Sequence, residues 1–130
     1  MRRLRPRPPR FLFVCVENAG RSQMAEGFAL ALGLDAFSCG SAPARRVNPL
    51  AIEAMREKGI DISGHAPRGF ADVPEADIVV TMGCGDACPY VPIRRIDWAV
   101  PDPKGKGIEE VRDIRDDIEL LVHDLVDELL

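Results

Sequence analysis

The sequence is short of aromatic residues and histidine, and it contains no long apolar run. Its 130 residues include one Trp, one Tyr and two His. No apolar segment approaches the roughly 18 residues that a membrane-spanning helix requires. The segment FLFVCV at 11–16 is also too short for the core of a signal peptide. Since a chain of this length holds a single hydrophobic core, we predict one cytoplasmic domain that does not enter a membrane.

Basic residues are scarce after the first ten positions. That opening segment, MRRLRPRPPR, holds five Arg and no acidic residue, although the whole chain has a formal net charge of −4. The remaining 120 residues therefore carry 12 basic against 21 acidic side chains, a net charge of −9. A body this acidic is a poor partner for nucleic acid. We predict that residues 1–9 form a disordered Arg/Pro-rich tail ahead of a folded domain at 10–130.

Apolar periodicity predicts strands that alternate with helices. The continuous apolar run at 11–16 is typical of a strand buried on both faces of a parallel sheet. The alternation indicates a single α/β domain with a four-stranded parallel sheet in flavodoxin-like order, its first strand central and helices on both faces. Ligands in such folds bind beyond the carboxyl ends of the strands. The predicted strands are 11–16, 36–40, 78–82 and 94–98. Of the three predicted helices, the first stops at Gly33, the second covers 48–58 and the third starts at residue 108.

The turn after the first strand places a cysteine and an arginine six positions apart. Five intervening residues are enough to wrap backbone N–H groups around one tetrahedral oxyanion at the start of a helix. Arg21 would then bind two oxygens of the anion in bidentate fashion. The same positive field favours the thiolate form of Cys15 at neutral pH. The predicted oxyanion-binding loop consists of Val16, Glu17, Asn18, Ala19, Gly20, Arg21 and Ser22.

Individual residues of this loop suit the same interpretation, with one exception. Ser22 can form a hydrogen bond with the cysteine sulfur, and Asn18 and Gly20 tolerate the positive φ angles that a tight turn demands. Glu17 is the exception, because a carboxylate repels an oxyanion, and we expect it to face solvent or to guard the entrance. The alternative for the whole segment is a buried core cysteine near an incidental surface arginine.

Four segments of the chain carry a family resemblance. VCVENAGRSQMAEGF resembles the active-site loop of low molecular weight tyrosine phosphatases and of the arsenate reductases that share their fold. The resemblance extends to SCGSAP, TMGCGDACP and PDPKG, each of which follows a later predicted strand. It implies a central four-stranded parallel sheet, a nucleophilic cysteine at Cys15 and an oxyanion-binding arginine at Arg21.

The segment that would carry the general acid, residues 102–105 (the acid segment), separates the two branches of this family. Phosphatases carry their general acid in an Asp-Pro pair that a tyrosine follows, whereas this chain has Asp102-Pro103-Lys104-Gly105. A Lys-Gly pair offers no aromatic ring to flank phosphotyrosine, and the reductases are similar in this respect. Pro103 holds Asp102 extended, which suits a carboxylate that projects from a loop. A turn-forming aspartate is the alternative for Asp102.

Cys84 and Cys88 follow the third predicted strand, at the sheet edge predicted to carry Cys15. The resemblance to thioredoxin-coupled reductases implies that they relay oxidation, through a Cys15–Cys84 disulfide and then a Cys84–Cys88 disulfide. Their spacing is narrower than in the best-known reductases, and such a disulfide requires Cα atoms within about 7 Å. A half zinc site is an alternative, although His65 and His123 lie far away in sequence. An inert buried pair is another.

These observations predict thiol-dependent reduction of arsenate to arsenite. The predicted partners are arsenate or a phosphate-like oxyanion and an external reductant, which would be a thioredoxin, mycothiol or glutathione system. We predict no tightly bound cofactor and no metal. The first alternative is a low molecular weight phosphatase that hydrolyses phosphate monoesters, and the second is a non-catalytic oxyanion-binding or redox-sensing module. The remaining cysteine, Cys39, is interpreted as a small buried apolar residue.

Overall fold

Four parallel strands form the centre of the structure, a computed structural model that describes residues 8–83 and 94–129. Their order in the sheet is β2-β1-β3-β4 and every pairing is parallel, so the first strand is central as predicted. No helix among the described residues is long and apolar enough to cross a membrane. The elements are β1 (Arg10–Cys15), α1 (Arg21–Ala31), β2 (Asp35–Gly40), α2 (Pro49–Arg56), a short 3-10 helix (Phe70–Asp72), β3 (Ile78–Thr81), β4 (Arg94–Asp97) and α3 (Ile108–Leu129).

Alternate residues of β1 face opposite sides of the sheet, and both sides are covered. Phe11 and Phe13 point into the main core, together with apolar residues of all three α-helices. Leu12 and Val14 point into a smaller core that the 3-10 helix covers through Phe70. These four side chains are fully buried, and each contributes about 1.5–3 kcal/mol through removal from water. This two-sided burial explains the continuous apolar run in the sequence.

Local capping determines where the second helix begins. The Asn48 side chain accepts a hydrogen bond from the backbone N–H of Leu50 at 2.9 Å, and Pro49 occupies the first turn. Both features satisfy or remove N–H groups that have no partner at a helix start. The helix ends at Arg56 rather than at the predicted residue 58, because the next N–H groups, those of Lys58 and Gly59, bond three residues back and tighten the last turn.

Two sequence predictions fall outside the described residues. The predicted tail at 1–9 lies mostly in segment 1–7, and the predicted relay cysteines Cys84 and Cys88 lie in segment 84–93. Both predictions therefore stay predictions.

A charged cluster joins the end of α2 to α3. The Glu57 carboxylate accepts hydrogen bonds from Arg112 Nε at 3.0 Å and Nη2 at 2.7 Å, and from Arg115 Nη1 at 2.7 Å. Arg115 is buried and also donates to the carbonyl of Ala54 at 2.9 Å. The hydrogen bond from Arg112, with a further one from Arg115, lowers the pKa of Glu57 below its ordinary value.

We expect Glu57→Gln to lower the thermal unfolding midpoint at pH 7. Because the folded state lowers the pKa of Glu57, the stabilisation is complete above the unfolded pKa and is lost as pH falls through the folded pKa. The difference in unfolding midpoint between the unmodified protein and the variant should therefore narrow only below about pH 4. Thermal melts across this pH range measure it, with exposed Asp124→Asn as the control for loss of one negative charge. An equal gap at pH 7 and well below pH 4 would contradict the assignment.

Candidate active site

A small cavity opens at the carboxyl edge of the sheet, beside the loop that joins β1 to α1. Its volume is about 210 Å³. Binding sites for drug-sized molecules usually measure about 300–1,000 Å³, so this cavity suits a small anion. The predicted residues Cys15, Arg21 and Asp102 all line it. The other lining residues are Glu17, Ala19, Gly20, Ala44, Arg46, Val47, Asn48, Pro49, Pro103 and Lys104.

The backbone of the loop turns its carbonyl oxygens outward. Every carbonyl from residue 15 to residue 20 accepts a hydrogen bond from a residue outside the loop. In contrast, the N–H groups of residues 17–20 donate to no atom in the described part of the chain. Because the N–H and C=O of a trans peptide point in opposite directions, outward carbonyls leave the N–H groups for an anion. This is the arrangement that an anion-binding nest requires.

The cysteine sulfur lies deep in this loop, and among the described residues it has one close polar partner. Cys15 is 2% exposed, and its Sγ lies 2.8 Å from Ser22 Oγ. The Asn18 amide donates to the same Ser22 oxygen at 2.7 Å. The Ser22 oxygen, which already accepts from Asn18, can donate its hydrogen to a Cys15 thiolate. The hydrogen bond expected between Ser22 and the cysteine is therefore present.

A buried polar network supports the loop from behind. The Asn18 Nδ2 also donates to Ser38 Oγ at 2.9 Å, and Ser38 in turn donates to the carboxylate of Glu26. The Gln23 amide donates to Asn18 Oδ1 at 3.0 Å and contacts His65 Nδ1 at 3.0 Å through its own oxygen. Asn18 adopts a φ of +52°, so these bonds hold the loop in a backbone conformation that few residues adopt.

Arg21 is held by contacts with two other segments. It is 8% exposed, its Nη1 donates to the carbonyl of Val100 at 3.1 Å, and its Nη2 lies 3.6 Å from Asp102 Oδ2. Gly83, with a φ of +84°, packs so closely that a Cβ there would lie 2.6 Å from Arg21 Nη1. Any larger residue at position 83 would therefore displace the guanidinium.

The acid segment packs directly onto the loop. Asp102 Oδ1 accepts a hydrogen bond from the N–H of Lys104 at 3.0 Å, which forms a tight turn. A Cβ at Gly20 would lie 2.6 Å from Pro103 Cγ. Gly20 has a φ of −135°, so the expectation of a positive φ is wrong for Gly20 and correct for Asn18. The glycine is needed because Pro103 approaches closely.

Glu17 reaches across the cavity to the acid segment. Its Oε1 lies 2.9 Å from Lys104 Nζ. The side chain of Glu17 is 30% exposed and that of Lys104 is 73% exposed, which places the ion pair at the outer rim. The carboxylate therefore has a cationic partner, and of the two expected positions it occupies the entrance.

Comparison with known proteins identifies the family of this chain. The family model described as low molecular weight phosphotyrosine protein phosphatase matches residues 10–130. The chain belongs to this family. An arsenate reductase of Staphylococcus aureus (strain Newman) is 40% identical over 119 residues, which cover 85% of this chain and 90% of that protein.

Solved structures agree with the family and the fold. A structure of an arsenate reductase in the phosphate binding state is 36% identical, with a TM-score of 0.85, and covers 94% of this chain and 99% of that one. A thioredoxin-dependent arsenate reductase of Corynebacterium glutamicum is 33% identical, with a TM-score of 0.74, and covers 93% of this chain and 61% of that one. The predicted phosphatase fold is therefore confirmed, and this family member is similar to arsenate reductases.

Cys39 lies apart from the cavity of this phosphatase family member. It is fully buried in β2, beside Val14, in the smaller core with Leu12 and Val79. Cys15 instead belongs to the main core on the other face of the sheet. The prediction of a buried residue at Cys39 is confirmed. Among the described residues, no cluster of three or more His, Cys, Asp or Glu could hold a metal ion.

Sequence reasoning missed several polar residues around the site. His65 contacts the network behind the loop through Gln23, a role that its neighbouring sequence does not indicate. Ser38 and Glu26 also escaped notice, because each contacts partners that are distant along the chain. Arg46 lines the cavity without any signal in its neighbouring sequence.

Proposed function

We propose that this family member reduces arsenate to arsenite, with Cys15 as the nucleophile and electrons from an external thiol. One observation carries the proposal: Cys15, Arg21 and Asp102 line a single cavity whose size suits a free oxyanion. The similarity to arsenate reductases supports the same reaction.

In the first step the thiolate of Cys15 attacks arsenic. Arg21 holds two oxygens of arsenate, and the unpaired N–H groups of residues 17–20 bind the oxygens that do not leave. Asp102 protonates the departing oxygen, which leaves as water while a sulfur–arsenic bond forms. The hydroxyl of Ser22, 2.8 Å from the sulfur, stabilises the thiolate before attack.

In the second step a relay thiolate, assigned to Cys84, attacks the sulfur of Cys15. The electron pair of the sulfur–arsenic bond passes to arsenic, so arsenite leaves and a Cys15–Cys84 disulfide forms. Cys88 then attacks Cys84, which frees Cys15 and leaves a Cys84–Cys88 disulfide. An external dithiol reduces this disulfide and closes the cycle. A thioredoxin is the first candidate, because a similar enzyme is described as thioredoxin-dependent.

Hydrolysis of phosphate monoesters is the second candidate function. It uses the same nucleophile, arginine and acid, and the family is described as one of phosphotyrosine protein phosphatases. The segment after Asp102 disfavours it, because Pro103, Lys104 and Gly105 provide no aromatic ring to flank a phosphotyrosine. The fate of the cysteines separates the two functions.

Cys88→Ser is expected to stop after one turnover. Without Cys88 no thiol of the chain can resolve the Cys15–Cys84 disulfide, and Cys15 is not regenerated. Arsenite should therefore accumulate to about one equivalent per chain, as the relay stoichiometry requires. Peptide mapping after alkylation should find that disulfide. Cys84→Ser should release no such equivalent, whereas Cys39→Ala, which changes a cysteine on the other face of the sheet, should turn over normally.

Steady-state assays with thioredoxin, mycothiol and glutathione systems supplied separately identify the reductant. Activity with the thioredoxin system and loss of that activity in both relay variants would support the mechanism. Failure to reduce arsenate with all three systems, together with rapid hydrolysis of an aryl phosphate and both relay thiols still reduced, would replace it with the phosphatase alternative.

A further inference from the structure

The segment 102–104 lines the cavity and contacts the loop at three points. Its inner contact joins Asp102 Oδ2 to Arg21 Nη2 at 3.6 Å. Its middle contact packs Pro103 against Gly20. Its outer contact joins Lys104 Nζ to Glu17 Oε1 at 2.9 Å and is the shortest of the polar contacts between the two segments. The segment therefore extends along the cavity wall from the buried arginine to the solvent.

A carboxylate in an anion-binding loop calls for an explanation. Glu17 alone would repel an incoming oxyanion, and nothing in the proposed chemistry uses it. Lys104 offsets that charge, and the hydrogen bond that it donates to Glu17 raises the pKa of Lys104 above its ordinary value. Lys104 therefore stays charged throughout the neutral range. The two residues act as one neutral bridge at the rim.

The ion pair lies where a leaving group would depart, so it can affect which substrates fit the site. In-line attack by Cys15 expels the group on the opposite side, beneath Asp102. When the substrate is arsenate, that group is a water molecule and needs no exit of its own. When the substrate is a phosphate monoester, the leaving oxygen carries an alkyl or aryl group, which must extend past the segment 102–104 into solvent.

We propose that the Glu17–Lys104 ion pair closes this exit and restricts the site to free inorganic oxyanions. The inference rests on the proposed function, whose nucleophile and acid define the direction of departure. Glu17 and Lys104 are specificity-determining residues, since they exclude the organic part of an ester and take no part in bond breaking.

Protection of Cys15 from alkylation by a bound anion tests the role of the Glu17–Lys104 ion pair without arsenate turnover. Iodoacetamide labels the cysteine, and peptide mass spectrometry measures how strongly inorganic phosphate or phenyl phosphate slows the labelling. In the unmodified protein, phosphate should protect at lower concentration than phenyl phosphate. In Glu17→Gly/Lys104→Gly the ratio of the two protection constants should shift toward the ester by roughly tenfold, the effect of one pocket contact.

Matched variants show whether the pair itself is responsible. Lys104→Glu should open the exit by repulsion, and the exchanged pair Glu17→Lys/Lys104→Glu should restore the original ratio. Lys106→Gln is the control, because Lys106 lies two residues further on and pairs with Glu110 instead. It should leave the ratio unchanged.

Two results would overturn the inference. One is equal protection of the unmodified protein by phosphate and phenyl phosphate. The other is an unchanged ratio in the opened variants while phosphate still protects Cys15. Neither result depends on arsenate reduction. A negative reductase assay would therefore contradict the proposed function without deciding whether the ion pair excludes esters.

Discussion

Cys15→Ser is expected to reduce the rate of arsenate reduction by roughly 10⁴-fold or more, a loss typical of removal of a nucleophile. A serine hydroxyl stays protonated at neutral pH, and it cannot form the sulfur–arsenic bond whose electron pair reduces arsenic. The cavity itself should survive, because serine is smaller than cysteine and Ser22 still has its partner in Asn18. Steady-state assays with the active reductant system measure the loss.

Binding of phosphate provides the control for this prediction. Isothermal titration should still detect inorganic phosphate in the serine variant, which shows that the loop is folded. Cys39→Ser, a change of the same size on the other face of the sheet, should retain reductase activity. If Cys15→Ser reduced arsenate at a rate close to that of the unmodified protein, the nucleophile would have to be another residue. Full resistance to arsenate in cells that carry the variant would favour the non-catalytic module.

Arg21→Lys is expected to lower kcat/KM for arsenate by roughly 10²–10³-fold, as loss of one oxyanion-binding group does. Lysine keeps the positive charge but lacks the planar fork that binds two oxygens at once. It also lacks the second nitrogen, so it cannot contact Val100 and Asp102 together as the guanidinium does. Steady-state kinetics measure the effect, and phosphate protection of Cys15 should weaken in parallel.

Arg56→Lys is the matched control, because Arg56 ends α2 and lies outside the cavity lining. It should have kinetics like those of the unmodified protein. Thermal melts of both variants separate a local effect from unfolding. A kcat/KM for Arg21→Lys within a few-fold of the original would contradict the bidentate role of the guanidinium.

The loop could be predicted because its chemistry is local in sequence. Cys15 and Ser22 are seven positions apart, and the strand and helix that flank them bring them within 2.8 Å. The positive φ of Asn18 also follows from local geometry, whereas Gly20 does not need one. What Gly20 meets is Pro103, more than 80 positions away, and no pattern near residue 20 encodes that contact.

The sequence by itself determined the fold class, the strand order and the cysteine–arginine loop. Apolar periodicity, helix caps and turns act over a few residues, so their consequences can be inferred from neighbouring positions. Only the tertiary structure decided that Glu17 pairs with Lys104, that Gly83 leaves space for Arg21, and which side chains support Asn18 from behind. These contacts form where distant segments meet at one edge of the sheet, and their geometry depends on how the whole core packs.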